Sequence, residues 1–304
     1  MSAHRLKAYI ELLIVAIIWG VAVVIIKYTL GGFSPLIFLT YRFFISTVIA
    51  IIFFLFVGFK PPKDRKTLLL TLFNGFLIST VSLGLLFLGT NNTTSIDANL
   101  ISSITPILVA VAGVLFLNEK VTKRESVGIL IALTGTIITI IGPSLGNGKT
   151  SFFGNLLVLA SVIVTVATAV FAKIVLRNKV DPLFATNVSF IVGFITLVPF
   201  AARELLDSNF KVITSVPFGF QVGVFYMAIL SGTLAYFLWH KAEKSIEIGE
   251  VNLIAYLYPI FGTPLSIFWL KEKVTTFFLA GLVVIAIGVF LAEWKKGHYR
   301  NLHE

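Results

Sequence analysis

The chain has 304 residues, of which 57% are hydrophobic and 12% are charged, and its formal net charge is +10. This composition excludes an ordinary soluble globular domain, and the absence of cysteine excludes disulfides, thiolate metal sites and cysteine nucleophiles. Because the lysines and arginines lie in short clusters between apolar runs, the positive charge indicates membrane orientation and not nucleic-acid binding.

Ten apolar segments follow one another along the chain, and a helix that crosses a bilayer needs about 20 such residues. The predicted spans are 9–30, 35–58, 67–89, 97–117, 125–142, 152–176, 182–202, 215–239, 249–270 and 275–294. The first is too long for the apolar core of a cleavable signal peptide, which is roughly 7–15 residues. We predict an all-α integral membrane protein in which residues 1–304 form a single membrane domain.

The lysines and arginines also predict the orientation of the chain. If the N-terminus is cytoplasmic, most of them lie on the cytoplasmic side of the ten spans. The positive-inside rule therefore places both termini in the cytoplasm of a multi-pass protein of the cell (plasma or inner) membrane.

A repeated motif divides the chain into two halves. Glu119-Lys120-Val121-Thr122 returns as Glu272-Lys273-Val274-Thr275, within a longer match of 97–136 to 250–289. Similarity at a fixed offset indicates a duplicated unit, and we predict a first repeat at 9–142 and a second at 152–294. Each repeat has an odd number of spans, five, so the second inserts upside down. Inverted repeats of this kind place a substrate site near the membrane midplane and support alternating access.

Polar residues inside the spans mark the helix faces turned toward protein or water, because a polar group in lipid is costly. Asn99 and Ser103 share one face of span four, and their counterparts Asn252 and Tyr256 have the same helical spacing in span nine. We predict that these residues contact substrate. For a serine taken alone, helix–helix packing is the stronger interpretation.

Spans one, six and eight add further candidates. Trp19 and Thr165 occupy corresponding positions of spans one and six, and Tyr236 and Trp239 lie near the cytoplasmic end of span eight. For the aromatic residues the alternative to a cavity is the interfacial belt, and the two interpretations fit Tyr236 and Trp239 equally well. Trp19 and Tyr256 lie deeper, so we favour a cavity role for both.

Two prolines and two charged groups complete the list of candidates. Pro106 and Pro259 lie mid-span at equivalent repeat positions, where each removes a backbone hydrogen bond and bends the helix, and we predict hinges there. Arg42 lies about two turns into span two. It either holds a substrate carboxylate, pairs with another residue, or extends its long side chain to the membrane surface. His240 and Glu243 form a candidate proton-responsive pair, for which plain solvation in an inner loop is the stronger interpretation.

The order and spacing of several short motifs resemble the EamA branch of the drug/metabolite transporter superfamily over nearly the whole chain. The motifs are Ile18-Trp19-Gly20 with Lys27, Ser34-Pro35 with Tyr41-Arg42-Phe43, Pro106 with Leu117-Asn118-Glu119-Lys120, Tyr236-Phe237-Leu238-Trp239-His240-Lys241-Ala242, Tyr258-Pro259, and Leu270-Lys271-Glu272-Lys273.

The resemblance implies a ten-helix carrier of two inverted five-helix repeats that moves small metabolites, often amino acids, usually outward. By position it implies a cavity lined by Trp19, Ser82, Asn99, Ser103, Thr165, Tyr236, Asn252 and Tyr256. The pairs Gly128/Gly135 and Gly281/Gly288 resemble close-packing faces that brace the bundle. The small multidrug exporters of the superfamily carry a glutamate mid-way along their first helix. Here Glu11 lies near the helix entrance, which puts proton-driven drug export in doubt.

The leading hypothesis is therefore a secondary transporter of small polar or zwitterionic metabolites that needs no metal or cofactor. The alternatives are efflux of hydrophobic or cationic drugs and, from a different class, a membrane-embedded enzyme. The enzyme is disfavoured because His240 is the only histidine outside the terminal tails and the acidic residues lie almost entirely at span ends. Proton coupling and a homodimer are both compatible with the sequence.

Overall fold

The structure is a computed structural model that describes residues 3–117, 123–145, 152–177, 180–243 and 253–293. All regular structure in these residues is helical. The helical segments group into ten successive rods, each of which is one continuous or interrupted helix. Seven of the described rods are long and apolar enough to cross a membrane, and the other three contain shorter apolar helices. The predicted all-α membrane fold is confirmed.

The bounds of the rods agree with the predicted spans to within a few residues at most ends. The first half contains α1 (Ala3–Thr29), α2 (Pro35–Val57), α3 (Arg65–Asn92), α4 (Ser95–Ser102 and Thr105–Leu117) and α5 (Lys123–Leu145). The second half contains α6 (Phe152–Arg177), α7 (Pro182–Asp207), α8 (Phe218–Phe225, Tyr226–Leu234 and Ala235–Glu243), α9 (Leu253–Leu257 and Tyr258–Phe268) and α10 (Thr276–Glu293). A single turn, Lys211–Thr214, separates α7 from α8.

Polar residues in the loops cap the N-termini of the helices that follow them. Ser34 caps α2, and its hydroxyl accepts a bond from the Ile37 N–H at 3.4 Å. Asp64 caps α3 by accepting bonds from the backbone N–H and the hydroxyl of Thr67, at 2.9 and 2.8 Å. Such caps satisfy backbone N–H groups that have no partner inside the helix.

The packing of α5 against α10 shows that the two repeats are inverted. A Cβ on Gly128 would lie 2.6 Å from the carbonyl oxygen of Gly288, and a Cβ on Gly135 would lie 2.9 Å from that of Gly281. The contacts run in opposite directions along the two helices, which are therefore antiparallel. Because Gly281 and Gly288 are the repeat counterparts of Gly128 and Gly135, exchanging the repeats reproduces the same two contacts. This pseudo-two-fold relation is the one expected of inverted repeats.

The same exchange relates the central helices. α1 packs against α8 and α9, and its counterpart α6 packs against α3 and α4. The regular α-helix is interrupted at matching places as well, by π-helical segments at Leu77–Ser82 in α3 and Tyr226–Leu234 in α8. Such π segments are frequent at functional sites.

The prolines of α4 and α9 mark the other interruptions. α4 breaks after Ser102, and Pro106 is the second residue of the helical segment that follows. Because Pro106 has no N–H, the carbonyl of Ser102 loses its usual donor, and the Thr105 hydroxyl donates to it instead at 2.6 Å. In α9 a 3-10 segment ends at Leu257, two residues before Pro259. Both prolines thus disrupt their helices; motion about them stays a prediction.

Contacts between helix ends agree with the alternating direction of the spans. Ser34 before α2 donates to Glu204 at the end of α7 at 2.8 Å, and both ends are predicted to lie outside. Lys241 near the end of α8 lies 2.6 Å from Glu11, and both are predicted to lie inside. Because α1 begins at Ala3, Glu11 lies about two turns into the helix, in its first half, and its carboxylate is buried.

Candidate functional site

Asn99 lies where α4 crosses α1 and α9. Its side chain is completely buried, and it packs against Gly262 of α9 so closely that a Cβ there would collide with the Asn99 amide nitrogen. The same Cβ would lie 2.7 Å from the carbonyl oxygen of Gly20 in α1. Helices approach this closely only where glycines remove the side chains between them.

The Asn99 amide has no hydrogen-bond partner for either Nδ2 or Oδ1 among the described residues. An amide offers two donors and one acceptor, and leaving such a group buried and unpaired costs about 1–3 kcal/mol. An arrangement of this kind fits a group that receives a ligand. Its repeat counterpart, Asn252, lies outside the described residues.

Trp19 and Tyr236 form an aromatic cluster between α1 and α8. The Trp19 ring centroid lies 5.2 Å from that of Tyr236, edge to face, and 5.1 Å from that of Trp239. Tyr236 also contacts Phe190 of α7 at 6.1 Å. The sequence left Tyr236 and Trp239 equally compatible with a belt at the membrane surface. The structure places both rings against Trp19, next to Gly20 of the crossing.

The π segment of α8 supplies carbonyl oxygens to its neighbours. Trp19 donates through Nε1 to the Ser231 carbonyl at 3.0 Å, and Arg42 donates through Nε to the Met227 carbonyl at 3.0 Å. The side chains of α1 and α2 are therefore anchored on one irregular stretch of helix, which fixes the aromatic cluster and the cation relative to each other.

Arg42 is 2% exposed, so its side chain does not extend to the membrane surface. Its Nη1 group has no partner among the described residues, its guanidinium lies 5.2 Å from the Phe43 ring, and it interacts electrostatically with Tyr236. None of the ion pairs found among the described residues involves Arg42. A buried guanidinium in this state has hydrogen-bond donors left for an anion.

The predicted hydroxyl residues divide into two groups. Ser82 and Thr165 meet across α3 and α6 with their oxygens 2.7 Å apart, and Ser82 also contacts Ser161. The Ser103 hydroxyl instead donates to the Leu100 carbonyl of its own helix at 2.7 Å. The Ser103 hydroxyl is therefore used within α4 at its break, and the backbone N–H of Ser103 donates to the carbonyl of Asn99, another candidate, at 3.0 Å.

The other candidates are placed only in part. Tyr256 is half-buried in the 3-10 segment of α9, three residues before Pro259. His240 lies in the last segment of α8, and its side chain is outside the described part of the structure. No cluster of three or more potential metal ligands occurs in the ranges that the structure describes.

Sequence reasoning missed two features of the site. Gly262 has no glycine counterpart in the first repeat, where Val109 occupies the equivalent position, so the echo gives no signal for it. The Tyr226 hydroxyl donates to the Ile18 carbonyl beside Trp19 at 2.7 Å. The two residues are 208 positions apart, and no local pattern in the sequence indicates their contact.

Together, these features indicate a class of membrane protein. Inverted repeats of membrane-crossing helices enclose an amide that has no partner among the described residues, an aromatic cluster and a buried cation. Inverted repeats of this kind are typical of membrane transporters. Comparison with known proteins then identifies the family.

The sequence profile of the EamA-like transporter family matches residues 6–141 and 152–294, and the chain belongs to that family. It is 26% identical to "Uncharacterized transporter YetK" of Bacillus subtilis (strain 168), over 96% of this chain and 88% of that protein. It is 24% identical to a "Probable amino-acid metabolite efflux pump" of Escherichia coli (strain K12), over 93% and 95% of the two chains.

A solved structure described as "Crystal structure of protein" has the same fold. Its TM-score is 0.64 at 16% sequence identity, and the match covers 97% of this chain and 99% of that chain. The chain is thus a multi-pass membrane transporter of the EamA-like family. The names of its relatives point to transport rather than catalysis.

Proposed function

We propose that the protein is a secondary transporter that moves small polar or zwitterionic metabolites, amino acids first among them, out of the cell by alternating access. The observation that carries this proposal is the Asn99 amide, buried and unpaired at the crossing of three helices. The similar protein of Escherichia coli is named a "Probable amino-acid metabolite efflux pump", and this name supports the substrate class and the direction of transport.

The chemistry of the surrounding residues supports a zwitterion. The guanidinium of Arg42 suits a carboxylate, the Asn99 carbonyl accepts from an ammonium group, and Trp19 and Tyr236 offer apolar ring faces to a side chain. A buried cation also repels cationic compounds, which disfavours the drug-efflux alternative. The proposed site comprises Trp19, Ser82, Asn99, Ser103, Thr165, Tyr236, Asn252 and Tyr256, with Arg42 as its charged group.

Flux measurements in proteoliposomes test this function. Labelled amino acids and the corresponding amines, which lack the carboxylate, are compared in vesicles with the native chain, with Arg42→Gln and with empty vesicles. We expect the native chain to move amino acids well above the empty-vesicle rate and the amines poorly, and Arg42→Gln to lose that preference. If no amino acid crosses faster than in empty vesicles, the substrate class is wrong.

Three further predictions are tested alongside the flux measurements. Proton coupling is tested by repeating the flux at two pH values, because the rate should change with pH if a proton accompanies the substrate. The mass of the purified protein in detergent distinguishes a monomer from a homodimer. The predicted cytoplasmic position of both termini is tested by protease digestion of tags placed at each end.

A further inference from the structure

We infer that Glu272 is a latch that closes the transporter on the membrane face predicted to be extracellular. The carboxylate joins the loop after α9 to the start of α4, the helix that carries Asn99. The inference rests on the proposed alternating access, because a latch has a role only if α4 and α9 separate there during transport.

The latch begins with a chain reversal after α9. The helix ends at Phe268, and Lys271 adopts a left-handed backbone conformation with φ of 56°. This conformation is disfavoured for a residue other than glycine. The backbone N–H of Glu272 then returns to the carbonyl of Ser266 at 3.2 Å. The reversal directs the Glu272 side chain back across the end of its own helix toward α4.

Both carboxylate oxygens of Glu272 bind the first turn of α4. Oε1 accepts from the backbone N–H of Ser95 at 2.9 Å. Oε2 accepts from the Ser95 hydroxyl at 2.9 Å and from the Ile96 N–H at 3.1 Å. Free backbone N–H groups and the helix dipole make the start of a helix a favourable place for a negative charge. The contact spans 177 residues of sequence, so it joins the two repeats.

Two further contacts extend the latch. The hydroxyls of Ser95 and Ser266 lie 2.7 Å apart. The Ser266 hydroxyl also donates to the carbonyl of Gly262, the residue that packs against Asn99. Lys27 of α1 interacts electrostatically with Glu272, and its ammonium group donates to the carbonyls of Thr90 and Asn91 at the end of α3. The network therefore draws together α1, α3, α4 and α9 on one face of the membrane.

The latch lies one helical turn nearer the predicted extracellular face than the proposed site. Asn99 follows Ser95 by one helical turn, and Gly262 precedes Ser266 by one turn, so the two pairs stack along the same crossing of α4 and α9. Separating Ser95 from Ser266 opens a path toward Asn99 from that face. Glu272 is thus a positioning residue whose release precedes access to the site.

The absence of native cysteine permits a direct test. Ser266→Cys introduces one thiol at a fully buried position of the α4–α9 interface. A membrane-impermeant maleimide is added from the predicted extracellular side, without substrate, to this variant alone and combined with Glu272→Gln, Ser95→Ala or Glu204→Gln. Glu204 is a matched control, because it too accepts from a serine hydroxyl on the same predicted face but joins α2 to α7.

We expect Glu272→Gln to speed labelling on the order of tenfold, because it replaces charge-assisted bonds with weaker ones. Ser95→Ala removes one of the three bonds and should give a smaller increase, while Glu204→Gln should leave the rate unchanged. Equal rates for all four proteins, or faster labelling only from the opposite side, overturn the latch. Labelling needs no substrate, so failed amino-acid flux with the expected labelling pattern would reject the proposed substrate class and leave the latch, with the helix separation on which it rests, in place.

Discussion

Two asparagines in this molecule are equally buried and differ in one respect. Asn155, at the start of α6, donates to the Thr139 carbonyl at 3.2 Å and accepts from the Thr93 hydroxyl, so its amide is satisfied by α5 and the end of α3. Asn99, at the crossing of α1, α4 and α9, has neither bond in the part of the chain that the structure describes. The same side chain therefore braces helices in one region and is held unpaired in the other. The bonds of Asn155 serve stability, whereas the buried amide of Asn99 is the group that we propose receives a ligand.

Replacing Asn155 with leucine should give the largest loss. The change removes both amide bonds and leaves the Thr93 hydroxyl and Thr139 carbonyl buried without partners, which costs about 3 kcal/mol of unfolding free energy. Thermal or chemical unfolding of purified protein in detergent measures this. An Asn155→Leu variant as stable as the native chain would remove the contrast between the two sites.

Filling the space beside Asn99 should cost less. Gly262→Ala places a methyl group against the Asn99 amide and the Gly20 carbonyl, and overpacking of this kind costs about 2 kcal/mol. We expect transport to fall as well, because the amide is displaced. Gly84→Ala is the matched control, since a Cβ at Gly84 meets nothing within 4 Å. If both variants behave alike, the close approach at the crossing has no role.

Replacing Asn99 itself should act in the opposite direction. Asn99→Leu removes an unpaired amide from the interior, and we expect the unfolding free energy to rise by about 1 kcal/mol while transport is lost. Unfolding and flux are measured on the same preparation. A variant that is less stable than the native chain, like Asn155→Leu, would show that Asn99 is a structural residue.

The smallest effect should come from a carboxylate outside the membrane spans. The hydroxyl and then the backbone N–H of Thr67 lower the pKa of Asp64. Its cap therefore stabilises the protein above the ordinary aspartate pKa, and this contribution disappears as the pH falls through the lowered pKa. Asp64→Asn should flatten this acid-dependent loss of stability, as measured by unfolding between about pH 5 and pH 2. An unchanged pH dependence would show that other carboxylates dominate.

The sequence predicted most of the fold because membrane spans are local features. Apolar length and charge clusters are read within about 20 residues, and the 97–136 echo revealed the duplication that the α5–α10 contacts display as an antiparallel pair. The same locality explains what was missed. Carbonyl groups in the π segment of α8 accept hydrogen bonds from Trp19 of α1 and Arg42 of α2. No pattern within Tyr226–Leu234 indicates those partners.

The repeat marked only part of the candidate site. Asn99 was found through its match to Asn252, whereas Gly262 has no counterpart and appears only from its contact with Asn99. The sequence marked Glu272 as part of the repeated Glu-Lys-Val-Thr motif. Its bonds to Ser95 and Ile96 join residues far apart in sequence. Such tertiary contacts leave no periodic signal.

Ligand-dependent unfolding tests the central claim, that the Asn99 amide is held for a substrate, most directly. The melting temperatures of the native chain, Asn99→Leu and Gly84→Ala are measured across a panel of amino acids at increasing concentration. A ligand at 100 times its dissociation constant adds about 2.7 kcal/mol to the folded state. We predict that an amino acid raises the melting temperature of the native chain and of Gly84→Ala but not of Asn99→Leu, which starts from the higher value. An equal rise in all three proteins would contradict the account.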